Sequence, residues 1–189
     1  MGTYTADMFM TLDGFGTGPI GYWGNAGPEL AAHRARVFFA GEDETLVFGA
    51  NTYRLMRQFA VERGETPEFR SLTQRDKIVI SSALEEPLGW DNSTLVAEDA
   101  LVAVPRLKAE SHVPLRSHGS IAMNRALLAA GLVDRLEITV FPVITGASGS
   151  NPILAGLPDI DLELLEARLL DGRIQQLVYA PTVLQSPLG

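Results

Sequence analysis

The segment at positions 117–146, SHGSIAMNRALLAAGLVDRLEITVFPVITG, reads as a glycine turn, an apolar helix and a strand. An earlier segment at 45–56, TLVFGANTYRLM, shows the same order of apolar strand, glycine and helix. Short apolar strands that alternate with helices favour a parallel sheet, because two parallel strands must be joined by a long crossover. These two segments therefore restrict the chain to an α/β fold.

Apolar runs and helical spacing extend this pattern along the chain. We predict strands over 3–12, 45–49, 77–81, 93–97, 113–119 and 135–146, and helices from 28 onward and over 50–59, 98–110 and 120–131. Residues 60–75 are polar and predict a surface excursion. Pro105 predicts an end or a kink in its helix. Pro142 indicates that its strand lies at an edge or carries a bulge, since proline donates no hydrogen bond to a sheet.

The C-terminal part of the chain is predicted to be antiparallel. Segments 161–170 and 173–183 flank the dipeptide Asp171-Gly172, which is a strong two-residue hairpin signal. The spacing of apolar residues in segment 161–170 is equally compatible with a helix, and periodicity alone does not decide between the two. We predict a single α/β domain over residues 1–189, with a mostly parallel central sheet, an antiparallel C-terminal edge and flanking helices.

The composition narrows the classes of partner and of site. The 189 residues carry a net charge of −8 and contain no cysteine. The acidic balance argues against a nucleic-acid partner, and the lack of cysteine excludes disulfides and thiolate metal sites. No window approaches the roughly 18–20 apolar residues of a membrane span, and the N-terminus has no secretory signal pattern. We therefore expect a cytoplasmic protein with no metal site and no membrane partner.

Each of the two glycine turns lies where a strand meets the N-terminus of a helix. Such an N-terminus presents free backbone amides and a partial positive charge, and glycine lets an anion approach the backbone. Gly49 and Gly119, with the hydroxyls of Thr52 and Ser120, are therefore candidates for holding the phosphates of a dinucleotide. The alternative is that a strand-to-helix turn needs glycine and an N-cap for its backbone structure, with no ligand involved. The sequence contains neither a P-loop nor a complete G-x-G-x-x-G pattern.

Three further residues are candidates for the chemistry. Asp13 ends the first predicted strand, where a carboxylate can orient a substrate or relay a proton, although Asp-Gly is also ordinary turn chemistry. Trp23 lies in a glycine-rich loop and either covers a flat ring or packs the loop onto the core. His118 lies inside the second glycine turn, where both a structural role and a role beside a ligand fit.

The order of four segments resembles that of the dihydrofolate reductase-like reductases. These segments are MTLDGF, VFGANTYRLM, KIVISSAL and GSIAMNRALLAAGLVDRLEITVFPVITGASG. The resemblance covers nearly the whole chain and is closest to the branch that contains the reductase domain of riboflavin biosynthesis. It implies a dihydrofolate reductase-like fold, with a central sheet of about eight strands, and NADPH as the cofactor.

The resemblance also implies roles for individual residues. Cofactor phosphates would bind at Gly49, Ala50, Asn51 and Thr52, the adenosine ribose and its 2′-phosphate near Ser81 and Ser82, the pyrophosphate at Gly119, Ser120 and Ile121, and the nicotinamide between Gly14 and Ile20. Asp13 would also border the nicotinamide. Apart from the resemblance, we expect the proton to come from Asp13 or from water, and Trp23 is the candidate for contact with the substrate.

One departure from the family pattern concerns the cofactor. Relatives carry arginine in the turn where this chain has Ala50 and Asn51, and arginine is the favoured partner of a 2′-phosphate. NADH therefore stays possible, unless Arg54 or Lys77 compensates. We expect hydride transfer to a small pterin-, pyrimidine- or carbonyl-type substrate. The alternatives are a nucleotide-binding module without catalysis and a structural homodimer, and relatives commonly dimerise through their late strands.

Overall fold

The computed structural model describes residues 2–17, 26–39 and 43–184. The strands are β1 (Tyr4–Thr11), β2 (Phe15–Thr17), β3 (Thr45–Gly49), β4 (Lys77–Ile80), β5 (Ser93–Val96), β6 (Leu115–His118), β7 (Arg135–Phe141), β8 (Ser150–Pro152), β9 (Ile160–Leu170) and β10 (Ile174–Val183). The helices are α1 (Pro28–Arg34), α2 (Ala50–Arg63), α3 (Pro67–Gln74), α4 (Ala100–Glu110) and α5 (Ile121–Ala129). A π-helical turn (Ala35–Phe39) continues α1. None of the described helices is long and apolar enough to cross a membrane.

Eight of these strands form one sheet in the order β5-β4-β3-β6-β1-β7-β10-β9. The first six run parallel, and β10 pairs antiparallel with both β7 and β9. The predicted fold class, with its antiparallel C-terminal edge, is confirmed. Because parallel strands end at the same edge of a sheet, the turns that follow β3 and β6 are neighbours in space.

Helices cover both faces of the sheet. On one face, Val104 of α4 and Leu127 of α5 pack with Ala6 and Ile138. On the other face, Leu72 of α3 packs with Phe48, while Leu30 of α1 meets Phe141 and Ile174. Successive side chains of a strand point to opposite faces, so the uninterrupted apolar runs of the inner strands supply both layers.

Two predictions about helices and strands are wrong. Residues 60–75 are not an excursion, because α2 extends to Arg63 and α3 follows with Thr66 as its N-cap and two buried apolar residues, Phe69 and Leu72. β7 is an inner strand rather than an edge strand. It ends at Phe141, so Pro142 terminates the strand where a ladder hydrogen bond is no longer needed.

The C-terminal hairpin is confirmed, and segment 161–170 is a strand rather than a helix. Asp171 and Gly172 both have positive φ, at 52° and 67°, as a type I′ hairpin turn requires. Pro105 lies inside α4 without ending it. Residues 150–152 form the short strand β8 and pair with β2.

Candidate active site

A cavity of about 720 Å³ opens at the sheet edge where β3 and β6 lead into α2 and α5. Its size is typical of a small-molecule site. The first turns of both helices line it through Ala50, Asn51, Thr52, Gly119, Ser120, Ile121 and Ala122. The structure therefore brings the two predicted glycine turns together around one space.

The first turn has glycine at position 49 because Ser120 of the second turn packs directly against it. Gly49 is the N-cap of α2 and has an ordinary extended conformation, with φ −83°. A Cβ at this position would lie 2.3 Å from Oγ of Ser120, so the glycine is needed for space. The first amides of an α-helix have no partner within the helix and carry partial positive charge. Ala50 and Asn51 bring this end of α2 to the cavity.

The second turn needs glycine for its conformation. Gly119 has φ +100° and Ser120 has φ +62°, and both angles are unfavourable for most side chains. The amide of Gly119 donates to the carbonyl of Asp7 at 3.3 Å, and the amide of Ser120 donates to Oγ1 of Thr52 at 2.9 Å. The amides of Gly119 and Ser120 are thus already hydrogen-bonded within the protein. The prediction that free amides face a ligand is therefore wrong for these two residues of the second turn.

An anion at α5 would instead meet the amides of Ile121 and Ala122. The first hydrogen bond within α5 runs from the amide of Asn124 to the carbonyl of Ser120, so the amides of Ile121, Ala122 and Met123 lie before the helical ladder begins. The N-cap Ser120 makes no side-chain capping bond. The hydroxyl of Thr52 accepts from Ser120 and retains its own proton for donation to a ligand.

The inner end of the cavity carries a buried acid–base pair that the sequence analysis did not bring together. Nδ1 of His118 lies 2.6 Å from Oδ2 of Asp7, although the two atoms are not aligned for a hydrogen bond. Nε2 of His118 is buried and has no hydrogen-bond partner among the described residues. The ring of Phe38 packs edge-on against the imidazole, with centroids 4.5 Å apart. Both Asp7 and His118 line the cavity.

Burial lowers the pKa of His118 below its ordinary value, while the nearby carboxylate of Asp7 opposes this shift. The imidazole is therefore neutral at pH 7, and Asp7 favours the form that carries a proton. Asp7 was not among the residues predicted from the sequence, although the sequence contains a signal that could have identified it. An aspartate inside the strand YTADMFMT is unusual, because aspartate is depleted in strands and rarely buried without a partner.

A layer of paired charges lies next to this acid–base pair on the same face of the sheet. Arg116 on β6 contacts Glu44 at 2.7 Å and Glu137 on β7 at 2.6 Å. Burial would raise the pKa of Glu137, but His33 and Arg116 outweigh it and lower the pKa to about 2. Gln176 on β10 donates to the other carboxylate oxygen of Glu137. These contacts hold β6, β7 and β10 in register beneath α1.

Asp13 and Gly14 are placed outside this cavity. The Asp13 carboxylate accepts hydrogen bonds from Oγ1 of Thr11 at 2.6 Å and from the amide of Gly146 at 2.8 Å. These bonds hold the pKa of Asp13 at about 2, so the group is ionised at neutral pH and has no proton to give. Gly14 forms the turn itself, with φ +86°, and Gly16 lines the cavity instead. The predicted proton supply from Asp13 has no support in this arrangement.

The other predicted residues are distributed as follows. Ser81 and Ser82 follow β4 at the same sheet edge, one strand beyond Gly49, and do not line the cavity. Lys77 cannot reach a cofactor, since it is buried and its Nζ donates to the carbonyls of Leu72, Thr73 and Arg75. Ile20 and Trp23 lie outside the described residues.

Two arginines line the cavity that the sequence analysis did not identify. Arg34 comes from α1, and Arg125 from α5. Nη2 of Arg125 donates to the carbonyl of Ala155 in the loop that follows β8. Arg125 lies four residues after Ile121 on the same helix, so helical spacing could have pointed to it. Arg34 lies on a separate helix, and no local pattern in the sequence could have placed it at the cavity.

Comparisons with known proteins identify the family. The model of the RibD C-terminal domain matches residues 3–176. YyaP, an uncharacterised protein of Bacillus subtilis (strain 168), is 23% identical over 182 residues, which cover 92% of each chain.

Solved structures show the same fold. A putative riboflavin biosynthesis protein from Shewanella sp. PV-4 superimposes with a TM-score of 0.75 at 20% identity, covering 95% of this chain and 99% of its own. A pyrimidine reductase-like protein from Corynebacterium diphtheriae gives a TM-score of 0.65 at 16% identity, covering 96% of this chain and 92% of its own. By the family match over most of its length, the chain belongs to the RibD C-terminal domain family, the riboflavin biosynthesis reductase-like branch of the dihydrofolate reductase fold.

Proposed function

We propose that the protein is a nicotinamide-dependent reductase that transfers a hydride from NADPH to a small pterin-, pyrimidine- or carbonyl-type substrate. The observation that supports this most strongly is the meeting of two helix N-termini, those of α2 and α5, at one cavity of about 720 Å³. Neither helix has a side-chain cap, so both ends suit a diphosphate. Family membership supports the reductase activity.

The residues present fit a dinucleotide. The diphosphate would lie on the amides of Ile121 and Ala122, with the amides of Ala50 and Asn51 facing it from α2. Gly49 lets the two turns pack closely against each other, because any Cβ there would collide with the side chain of Ser120. When bound, the cofactor supplies the hydride. The chain's own residues bind the phosphates, orient the nicotinamide toward the inner end of the cavity and exclude water from it.

The preference for NADPH over NADH depends on the 2′-phosphate. Lys77 is excluded as its partner because its ammonium group is buried among backbone carbonyls. Arg54 on α2 is exposed and donates to Oδ1 of Asn51 at 3.3 Å, which keeps it near the first glycine turn. Arg54 and the hydroxyls of Ser81 and Ser82 are the candidates that we propose for the 2′-phosphate. NADH, which lacks this phosphate, is the alternative cofactor.

We also propose a homodimer that forms through β9. This strand is the outer edge of the described sheet, and Leu162, Leu164 and Leu169 are exposed along it. An eleven-residue edge strand that carries leucines invites pairing with another chain. Sedimentation velocity tests this proposal, and a monomer at micromolar concentration would contradict it.

The cofactor site is tested by titration with NADPH and NADH, monitored by nicotinamide fluorescence. The sharpest variant is Ala50→Pro. Ala50 is the first residue of α2, where proline is tolerated, and Gly49 before it already has the extended conformation that a following proline requires. This substitution removes one phosphate-facing amide and leaves the helix intact. A lost hydrogen bond to a charged group is worth about 1.5–3 kcal/mol, so the Kd should rise by at least about tenfold.

Ala100→Pro is the matched control, because Ala100 is the first residue of α4 and does not line the cavity. It should leave the Kd unchanged. Wild-type protein that binds neither nucleotide, or an Ala50→Pro variant that binds as well as wild type, would contradict the proposed site. Oxidation of the bound cofactor by a panel of pterins, ribosylaminopyrimidines and quinones then separates a reductase from a module that only binds.

A further inference from the structure

We propose that His118, held by Asp7, donates the proton that completes the reduction, and that the substrate's C=O or C=N bond lies with its heteroatom at the inner end of the cavity. This inference rests on the proposed function and deepens it. It limits the substrate to molecules whose reducible carbon is double-bonded to oxygen or nitrogen.

The register of the sheet places the two side chains together. Asp7 on β1 is directly opposite His118 on the parallel strand β6, so both project from the same face. Nδ1 of His118 is 2.6 Å from Oδ2 of Asp7. The carboxylate therefore lies on one side of the ring, and Nε2 is on the other.

The Nε2 atom is what points to a ligand. His118 is 7% exposed, and its Nε2 is buried with no hydrogen-bond partner among the described residues. Buried polar groups in native proteins are almost always hydrogen-bonded, because an unmade bond costs about 1–3 kcal/mol. His118 also lines the cavity. In the imidazolium form Nε2 carries a proton, and a carbonyl oxygen or imine nitrogen of a substrate at this end would accept a hydrogen bond from it.

The charges around His118 set the pH range of this role. The titratable and charged side chains of the surrounding elements are Asp7 on β1, Arg116 on β6, Glu137 on β7, and His33 and Arg34 on α1. Burial lowers the pKa of His118, Asp7 raises it, and Arg116 and Arg34 lower it further. The protonated imidazole is therefore a minor form at pH 7, and its population increases as the pH falls.

The proposed step is balanced. The carbon of the C=O or C=N bond receives the hydride and its two electrons from the dihydronicotinamide that the proposed function supplies. The π electron pair moves to the oxygen or nitrogen, which takes the proton from Nε2 of the His118 imidazolium. The products are an alcohol or amine and the oxidised nicotinamide. His118 is left neutral, stabilised in place by Asp7, and regains a proton from water.

Imidazole NMR tests the acid–base pair without any turnover. The chain has only three histidines, His33, His112 and His118, so variants assign each signal. We expect the His118 signal to titrate below its ordinary pKa of about 6.5, and Asp7→Asn to lower that pKa further because the favourable carboxylate charge is lost. A His118 pKa that does not change in Asp7→Asn would overturn the pairing.

Kinetics with the best acceptor of the panel test the proton transfer. General acid catalysis contributes about 10²–10⁴-fold, so His118→Gln should lower kcat at least about 100-fold while the Kd for NADPH changes less than twofold. The wild-type kcat should fall tenfold per pH unit above the His118 pKa, and His118→Gln should lose this slope. His112→Gln, the same change at an exposed histidine, is the control. An unchanged pH profile in His118→Gln would overturn the proposal.

Failure of the proposed function has a different signature. Wild-type protein that binds NADPH but reduces no acceptor contradicts the reductase and not the placement of the pair. The His118 NMR signal then decides, in protein saturated with NADP⁺. A shift of this signal on adding a carbonyl or imine acceptor supports binding at Nε2, and no shift with any acceptor overturns it.

Discussion

The two glycine turns look alike in the sequence and differ in the structure. Gly49 has an ordinary φ of −83° and is glycine because a Cβ would collide with Ser120. Gly119 has φ +100° and is glycine because of its own backbone, with Ser120 following in the left-handed region. The turns also interlock, since Thr52 accepts the hydrogen bond from the Ser120 amide. A glycine between a strand and a helix can thus be required either because a side chain would collide with its neighbours or because its φ is positive. Only the structure distinguishes these two causes.

The largest effect is expected from Gly119→Val. Valine at φ +100° adds backbone strain, and its Cβ would lie 3.3 Å from Oγ1 of Thr52. Together these terms should lower the free energy of unfolding by roughly 3 kcal/mol and weaken NADPH binding. Gly172→Val is the control, because Gly172 also has positive φ but has open space around it in the distant hairpin. If Gly172→Val weakened NADPH binding as much as Gly119→Val, the effect would belong to general destabilisation. Denaturant unfolding and fluorescence titration measure both quantities.

Gly49→Ala should come next, because it tests space alone. The added Cβ would lie 2.3 Å from Oγ and 2.8 Å from Cβ of Ser120, and overpacking of this kind costs about 1–3 kcal/mol. Ser120→Gly removes both contacts and also suits the left-handed conformation. The double variant should therefore recover most of the stability that Gly49→Ala loses. A double variant as unstable as Gly49→Ala would show that the two turns do not interlock through Ser120.

Thr52→Val should have a smaller effect, because it breaks one hydrogen bond between the turns and leaves the backbone in place. The Ser120 amide would lose its acceptor at a cost of about 1–2 kcal/mol. NADPH binding should weaken more than stability does, since the hydroxyl proton available to a phosphate is also lost. Thr52→Ser keeps the hydroxyl and should behave like wild type. Equal losses of binding and stability in Thr52→Val would make Thr52 part of the scaffold only.

The smallest effect is expected at the N-terminus of α1, whose amides are capped by a side chain of the protein itself. The carboxylate of Asp171 accepts hydrogen bonds from the amides of Gly27, Glu29 and Leu30 at the N-terminus of α1. Desolvation raises the pKa of Asp171, but these amides outweigh it and hold the pKa below the ordinary value.

Asp171→Asn keeps the hairpin turn and removes the charge, so the melting temperature should fall slightly while NADPH binding is unchanged. A carboxyl group whose pKa is lowered by folding stabilises the fold at pH values above its unfolded pKa of about 3.9. The difference in melting temperature between wild type and Asp171→Asn should therefore shrink as the pH falls below about 4. An equal difference in melting temperature at pH 3 and pH 7 would contradict the charge-based cap.

The sequence predicts much of the fold because that information is local. Apolar runs such as KIVI and the Asp171-Gly172 turn determine their own structure. The helix α3 within segment 60–75 was not predicted, because it buries only Phe69 and Leu72 among polar neighbours. The glycine turns of the site could be predicted for the same local reason.

The inner end of the cavity could not be predicted in this way. Asp7 and His118 are 111 positions apart and meet only because β1 and β6 pair in that register. Arg34 reaches the cavity only because α1 packs over the same sheet face. Such contacts depend on tertiary packing and leave no periodic signal in the sequence.

The most direct test of the account is a crystal structure of the protein soaked with NADPH. We expect the diphosphate within about 2.7–3.2 Å of the amides of Ile121 and Ala122, with Ala50 and Asn51 facing it and the nicotinamide directed toward His118. A structure in which these amides are closed off by protein, or in which the dinucleotide binds elsewhere, would contradict the central claim that two helix N-termini together hold the cofactor.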